Sequence, residues 1–322
     1  MNGAIFADGS EKIGMGHIIR TMAIGDKLKN KGVNVEYICT NSSLAAFLYL
    51  KNKNYKVNNK MPLEQKFDFM IVDSYEVNTT EKLQYFYMFA KKLIYIDDLN
   101  CLNSYNIDVI VNYSVGTENL NYKDAKIRLL GPKYVPLREQ FDDLRFNEPQ
   151  IKVEKILLTL GAADEYNFTK NILDELLKAY PNLSYNIVLG VTNLHRDKLI
   201  LSYKSENVNF YCNVDNMASI MKESHIAISA GGSTIYELCA ASVPTLAIVT
   251  AINQLKFINE MHKNTKLLFT NFTNGYDANF IEKFNILYSD VDFRRQLTYN
   301  MNYLVDGKGA SRIAEVIKGD NI

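Results

Sequence analysis

Two short stretches hold residues whose types and spacing suit chemistry on an anionic ligand. The first is Gly14-Met15-Gly16-His17. An apolar run at 4–7 precedes it, and Ile18, Met22, Gly25 and Leu28 follow at the spacing of one buried helix face. The order is therefore strand, glycine loop, helix, with His17 at the helix entrance. Glycine accepts positive φ and lets a ligand come close to the backbone. A helix N-terminus offers free N–H groups and the positive end of a dipole. A histidine there can take a proton from water, as a general base does. The plain alternative is that Gly14 and Gly16 only shape a turn that His17 caps.

The second stretch is ISAGGSTIYELCAASVPTLAI, residues 228–248. An apolar strand ends at Ser229, Gly231 and Gly232 turn the chain, and Ser233 or Thr234 can cap the helix that follows. Glu237 lies one turn further on. Such a loop can hold a diphosphate on backbone N–H and hydroxyl groups, while a carboxylate such as Glu237 accepts bonds from ribose hydroxyls. Without a ligand the same residues make a tight strand–helix turn, with Glu237 favouring the helix dipole. A third stretch, LLTLGAAD at 157–164, again joins a strand to a helix through small residues. Gly161 and Ala162 there either admit a ligand or simply turn the chain.

Smaller signals sit at other strand ends. Asp73-Ser74-Tyr75 and Asp97-Asp98 each follow an apolar run, and Asn253-Gln254 follows the run at 245–249. Adjacent aspartates can bind a cation, but singly they serve as caps and no further ligands accompany them. His195, His225 and His262 have no motif around them and read as structural or surface residues.

These stretches need elements to position them. Apolar runs at 4–7, 35–40, 69–72, 93–96 and 109–111 alternate with helical patterns at 17–31, 44–51 and 80–91. After a polar segment at 138–152 the alternation restarts, with strands expected at 156–160, 185–189, 208–211, 226–229 and 245–249. Helices fit 168–179, 216–223, 234–241 and 280–289, and a last one fits 311–318. Strands alternating with helices imply βαβ units and parallel sheets. The expected architecture is two doubly wound, Rossmann-like α/β domains facing a cleft, covering 1–145 and 146–322. Ligands of such sheets lie at the carboxyl ends of strands, where every glycine loop above falls.

Composition narrows the partners. With 36 Lys+Arg against 36 Asp+Glu the formal charge is +0. That leaves no electrostatic footprint for nucleic acid or an anionic membrane. The cysteines Cys39, Cys101, Cys212 and Cys239 are scattered, so reduced thiols in a cytoplasmic protein are expected rather than zinc or disulfides. No signal peptide is apparent at the N-terminus, and no apolar run approaches the ~20 residues that span a bilayer. A local cationic pocket for a phosphorylated small molecule is compatible with this balance.

Taken together, the motifs resemble a known family. Ala7-Asp8-Gly9, Ile13-Gly14-Met15-Gly16-His17 with Arg20, Val72-Asp73 with Tyr75, Asp97-Asp98, GPKYVPLREQF, LGAAD, SAGGSTIYEL and Asn253-Gln254 are similar to the UDP-sugar hydrolases of pseudaminic acid biosynthesis. That group's relatives include spore-coat polysaccharide proteins. The resemblance covers nearly the whole chain, and Ala162 stands where relatives often carry glycine. It implies a GT-B-like fold and metal-free cleavage of UDP-2,4-diacetamido-2,4,6-trideoxy-β-L-altropyranose to UDP and the free sugar. In that reading His17 activates a water that attacks the anomeric carbon with inversion. Tyr75 lies near the sugar, Asn253 contacts the substrate, the 231–234 loop holds the diphosphate and Glu237 the ribose. Gly14, Gly16, Gly161, Ala162 and Gln254 complete the expected substrate contacts. Two alternatives share these residues: a GT-B glycosyltransferase that delivers the sugar to another acceptor, and a non-catalytic nucleotide-sugar binding protein.

Overall fold

The computed structural model describes residues 1–9, 14–40, 42–62, 65–142, 144 and 146–319. Ile13 of the Ile13–His17 motif, and Asp143 and Arg145 of the polar segment, lie outside the described residues. The chain divides into two compact units.

The first unit contains β1 (Asn2–Ala7), α1 (Gly16–Asn30), β2 (Asn34–Ile38), α2 (Leu44–Asn52), β3 (Lys56–Asn58), β4 (Phe67–Asp73), α3 (Thr80–Tyr85), β5 (Ala90–Ile96), β6 (Val109–Asn112) and β7 (Ile127–Leu130). Its strands form a seven-stranded sheet in the order β3-β2-β1-β4-β5-β6-β7. Every pairing is parallel. Side chains of a strand alternate between faces, and β1 uses both. Ile5 and Ala7 pack with Ile18 and Leu28 of α1, whereas Ala4 and Phe6 pack with Phe67, Leu83 and Phe86. Burial on both faces is what parallel strands require. Helix α1 lies so close to the sheet that a Cβ at Gly25 would stand 2.7 Å from the Tyr55 hydroxyl and 3.1 Å from Ile5 Cδ1.

The second unit contains β8 (Lys155–Thr159), α4 (Phe168–Ala179), β9 (Ser184–Leu189), α5 (Arg196–Ser202), β10 (Val208–Cys212), α6 (Met217–Glu223), β11 (Ile226–Ala230), α7 (Thr234–Ala240), β12 (Thr245–Val249), α8 (Gln254–Thr265), β13 (Leu268–Asn271), α9 (Phe280–Ser289) and α10 (Val291–Leu304). Its six strands run β10-β9-β8-β11-β12-β13, again all parallel.

The units differ from the sequence-based division at their far end. The first holds Met1–Glu139 together with the C-terminal segment from Gly307, and the second is Gln140–Asp306. The last helix, α11 (Gly309–Lys318), thus belongs to the first unit and not, as expected, to 146–322. Ala310, Ile313, Ala314 and Ile317 join the core around Ile18 and Leu28, Lys92 Nζ donates to the Val316 carbonyl at 2.9 Å, and Arg312 Nη1 donates to the Lys133 carbonyl at 2.8 Å. Periodicity identifies a helix with an apolar face but not the sheet that face covers.

Two further differences have local causes. The helix expected over 80–91 stops at Tyr85. A single 3-10 turn at Phe86–Met88 follows, and the chain enters β5 at Ala90. The missed strands β3, β7 and β13 are 3 to 4 residues long and lie at sheet edges. Among the described residues no helix is long and apolar enough to cross a membrane.

Candidate functional site

In each sheet the strand order reverses once, between β1 and β4 in the first and between β8 and β11 in the second. Ligands of open parallel sheets bind beyond the carboxyl ends of the strands at such a switch point. The predicted site residues gather at these two places.

In the first unit, β1 ends beside β4, with Ala7 in register with Asp73. Asp8 follows β1, Ser74 and Tyr75 follow β4, and α1 brings His17 in its first turn. His17 is 5% exposed. Its Nδ1 stands 3.9 Å from Asp73 Oδ1, beyond hydrogen-bond range. Tyr75 packs edge-on against the imidazole, with centroids 4.5 Å apart and planes at 80°. The Tyr75 ring is 47% exposed, so it offers a surface to a ligand.

Arg20 organises this corner. It lies three residues after His17, on the same face of α1. Its Nε donates to Asp73 Oδ2 at 2.7 Å and its Nη2 to Asp73 Oδ1 at 2.5 Å, a bidentate clamp. Its Nη1 donates to Asp98 Oδ1 at 3.0 Å and to the Tyr113 hydroxyl at 2.5 Å. Asp98 in turn accepts the Tyr75 hydroxyl at 3.2 Å. One guanidinium therefore holds both the carboxylate behind His17 and the carboxylate that fixes Tyr75. Burial alone would lower the Arg20 pKa, but Asp73, Tyr113 and Asp98 together outweigh it and hold the group well above the usual arginine value. Burial first, and Asp98 second, push the Tyr75 phenol up.

Asp8 completes the corner. It is 4% exposed, and its Oδ2 accepts a hydrogen bond from the Ser74 hydroxyl. Burial pushes its carboxyl up, against the pull of the Ser74 bond. Asp8, Ser74, Arg20 and Tyr113 had no assigned role from the sequence, and Asp98 was read only as a cap or cation ligand. The available signal was an aspartate at the ends of β1, β4 and β5. Asp97 does act as a cap, accepting the Leu99 and Asn100 amides at 2.9 and 3.0 Å and the Tyr122 hydroxyl. Among the described residues no group of three or more His, Cys, Asp and Glu is placed to hold a metal ion.

In the second unit the loops after β8, β11 and β12 lie side by side, because those strands are neighbours. Gly161 has φ +84, and a Cβ there would meet no described atom within 4 Å. The next residue, Ala162, is fixed by its backbone. Gly190 approaches so closely that a Cβ would stand 2.3 Å from Ala162 Cα, and Thr192 Oγ1 donates to the Ala162 carbonyl at 2.9 Å. The adjacent glycines after β11 divide their duties. A Cβ at Gly231 would stand 2.8 Å from Ile258 Cγ1 and 3.2 Å from Gln254 Oε1, whereas one at Gly232 would meet nothing within 4 Å. Gly231 thus lets α8 pack, and Gly232 leaves the loop open.

Ser233 stands at the N-cap of α7 and its side chain makes no capping bond, so of the two residues expected to cap the helix Ser233 does not do so. Thr234 begins α7, and Glu237 lies half-buried in its first turn. Asn253 is exposed at the start of α8. Gln254 turns back, accepting the Thr250 amide at 2.9 Å, so it shapes its own loop. Gly14, Gly16, His17 and Tyr75 therefore share the first switch point, and Gly161, Ala162, Gly231, Gly232, Ser233, Thr234, Glu237, Asn253 and Gln254 share the second edge.

Residues 159–275 match the glycosyltransferase family 28 C-terminal domain. That match runs from the last residue of β8 to the turn after β13, and so contains all the loop residues of the second edge. Homologues of the chain include an uncharacterized protein, MJ1062, of Methanocaldococcus jannaschii, 30% identical over 76% of this chain and 55% of its own length. Spore coat polysaccharide biosynthesis protein SpsG of Bacillus subtilis is 24% identical over 99% of this chain and 98% of its own. A Helicobacter pylori protein named as pseudaminic acid cytidylyltransferase and UDP-2,4-diacetamido-2,4,6-trideoxy-beta-L-altropyranose hydrolase is 26% identical over 75% of this chain and 43% of its own. The chain thus spans about half the length of two of these relatives. Among solved structures, MurG of Acinetobacter baumannii superposes with a TM-score of 0.71 at 11% identity, covering 99% of both chains. The UDP-GlcNAc 2-epimerase of Neisseria meningitidis bound to UDP-GlcNAc superposes with a TM-score of 0.64 at 14% identity, covering 99% of this chain and 100% of that one. These likenesses show the fold, two Rossmann-like domains of the GT-B kind.

Proposed function

We propose that the protein is a nucleotide-sugar hydrolase that releases UDP and the free sugar from a UDP-linked 2,4-diacetamido-2,4,6-trideoxy sugar. The observation that carries the reading is the buried His17 at the first switch point, with Asp73 behind it and Tyr75 edge-on beside it. The Helicobacter relative's hydrolase name supports the choice of reaction and sugar. His17 takes a proton from water as the water oxygen bonds to the anomeric carbon. The bond from that carbon to the diphosphate breaks, and its electron pair leaves with UDP, so the configuration inverts. A positioned base of this kind contributes about 10²–10⁴-fold. Asp73 stabilises the ring when it becomes positive. Tyr75 borders the sugar, and the open loops at Gly161 and at 231–234, with Glu237 and Asn253, bind the nucleotide and substrate. The reading makes no use of a metal, and it places the protein in the cytoplasm as a step in polysaccharide or nonulosonic acid biosynthesis.

The adjacent glycines test the nucleotide assignment. Gly232→Ala puts a methyl into open space, so its melting temperature matches the wild type while UDP affinity falls at least about tenfold, or 1.4 kcal/mol. Gly231→Ala forces Ile258 aside and destabilises the protein by about 1–3 kcal/mol. Isothermal calorimetry with UDP and thermal melts check the pair.

The reaction is tested by incubating the protein in EDTA with UDP-2,4-diacetamido-2,4,6-trideoxy-β-L-altropyranose and following UDP release and the anomeric signals by NMR. Release with the α-anomer formed first is expected. UDP binding without release would overturn the hydrolase reading. The family 28 domain match then favours transfer to an acceptor, read by restoring turnover with cell extract.

A further inference from the structure

We propose that Asp8 is a positioning residue for His17, accepting the hydrogen bond of the imidazole Nδ1–H through one buried water. The proposal rests on the reading of His17 as the base. Two observations at the same switch point carry it. Asp8 Oδ1 and His17 Nδ1 are both buried, and neither has a hydrogen-bond partner among the described residues. One is an acceptor and the other can be a donor. Buried polar atoms are almost always satisfied, by protein or by ordered water.

The orientation of Asp8 is set from its other oxygen. Oδ2 accepts the Ser74 hydroxyl, and Ser74 Oγ itself accepts the Glu76 amide at 3.1 Å. With Oδ2 committed, Oδ1 is left to face a different donor. Asp73 does not fill that role for His17. It stands 3.9 Å from Nδ1, and the same oxygen already accepts Arg20 Nη2. A water that accepts from Nδ1–H and donates to Asp8 Oδ1 and Asp73 Oδ1 has the two to four polar partners that hold buried waters.

The consequence is chemical. A neutral imidazole carries its proton on one nitrogen, and the hydrogen bond made by one decides which. Holding it on Nδ1 leaves Nε2 bare, and Nε2 is then the atom that takes the proton from the attacking water. Burial raises the Asp8 carboxyl and Glu76 and Asp73 add to this, while Ser74 and His17 lower it. Cys39 beyond β2 also faces Asp8, and its thiol is pushed up to about 11, mainly by burial. It brings no charge at neutral pH.

The test reads the tautomer directly. Ring ¹⁵N spectra are recorded for the four histidines of the chain, with His17→Gln supplying the assignment. The proton is expected on His17 Nδ1 in the wild type. In Asp8→Asn the side-chain amide can donate instead, and the population is expected to move toward the Nε2–H form. UDP release by Asp8→Asn is expected to lose kcat on the order of 10²-fold with KM unchanged. An unchanged tautomer in Asp8→Asn overturns the proposal. If that variant does not melt cooperatively, the wild-type spectrum decides, because a proton on Nε2 overturns it equally. The spectra need no substrate, so a wild type that fails to release UDP sinks the hydrolase reading while the tautomer still judges Asp8.

Discussion

His17→Gln stops UDP release while the protein melts within a few degrees of the wild type. Glutamine approximates the volume of the buried ring and keeps a polar end, so the packing against Tyr75 loses little. Proton acceptance is lost entirely. The expected fall in kcat is about 10²–10⁴-fold, the range a positioned base contributes. UDP affinity is expected to stay the same, because the proposal assigns the nucleotide to loops of the other unit. Single-turnover kinetics, a UDP titration and a thermal melt read the three quantities. Wild-type release by His17→Gln would remove the base from the mechanism.

Arg20→Ala has a second large effect, this time on the fold as well. Arg20 is 14% exposed and Asp73 1%, so removing the cation strands a buried carboxylate. Breaking a buried pair in this way costs about 3–5 kcal/mol. For a unit of this size that lowers Tm by roughly 6–20 °C. Activity is lost further, because Asp98 no longer holds Tyr75 and Asp73 no longer holds its place behind His17. Arg20→Lys separates the two effects. Its point charge answers one carboxylate but cannot form the fork, so most of the stability returns while turnover stays low. Melts and kcat measured on both variants check this. Equal activity in Arg20→Lys and the wild type would mean that the bidentate geometry is not needed.

The glycine loops and His17 were legible because their signals are local. A strand, a turn that needs glycine and a helix entrance lie within about a dozen residues, and the chemistry follows from residue type. Most strands of both sheets were legible for the same reason. The Arg20 cluster was not. Its partners lie 53, 78 and 93 residues away, and only the pairing of β1 with β4, β4 with β5 and β5 with β6 brings their ends together. Gly231 and Gly232 look alike in sequence, and only the position of Ile258 on α8 separates a packing role from an open one. Helix α8 escaped because its apolar residues are few and interrupted by Lys, Asn and Thr, and the apolar residues of α10 are interrupted by Arg, Asn and Thr; α5 was missed as well. Tertiary burial, not propensity, stabilises such helices.

The return of α11 to the first unit sets an order of events during synthesis. Residues 140–306 form an unbroken unit, and all of it is translated before α11. The first unit, although β1 to β7 are translated earlier, waits for Ile313 and Ile317. Their full burial contributes roughly 1.5–3 kcal/mol each. Domains usually mature in the order in which they are translated. Here the unit at 140–306 can mature first, and the sheet that carries His17 stays one helix short until α11 emerges.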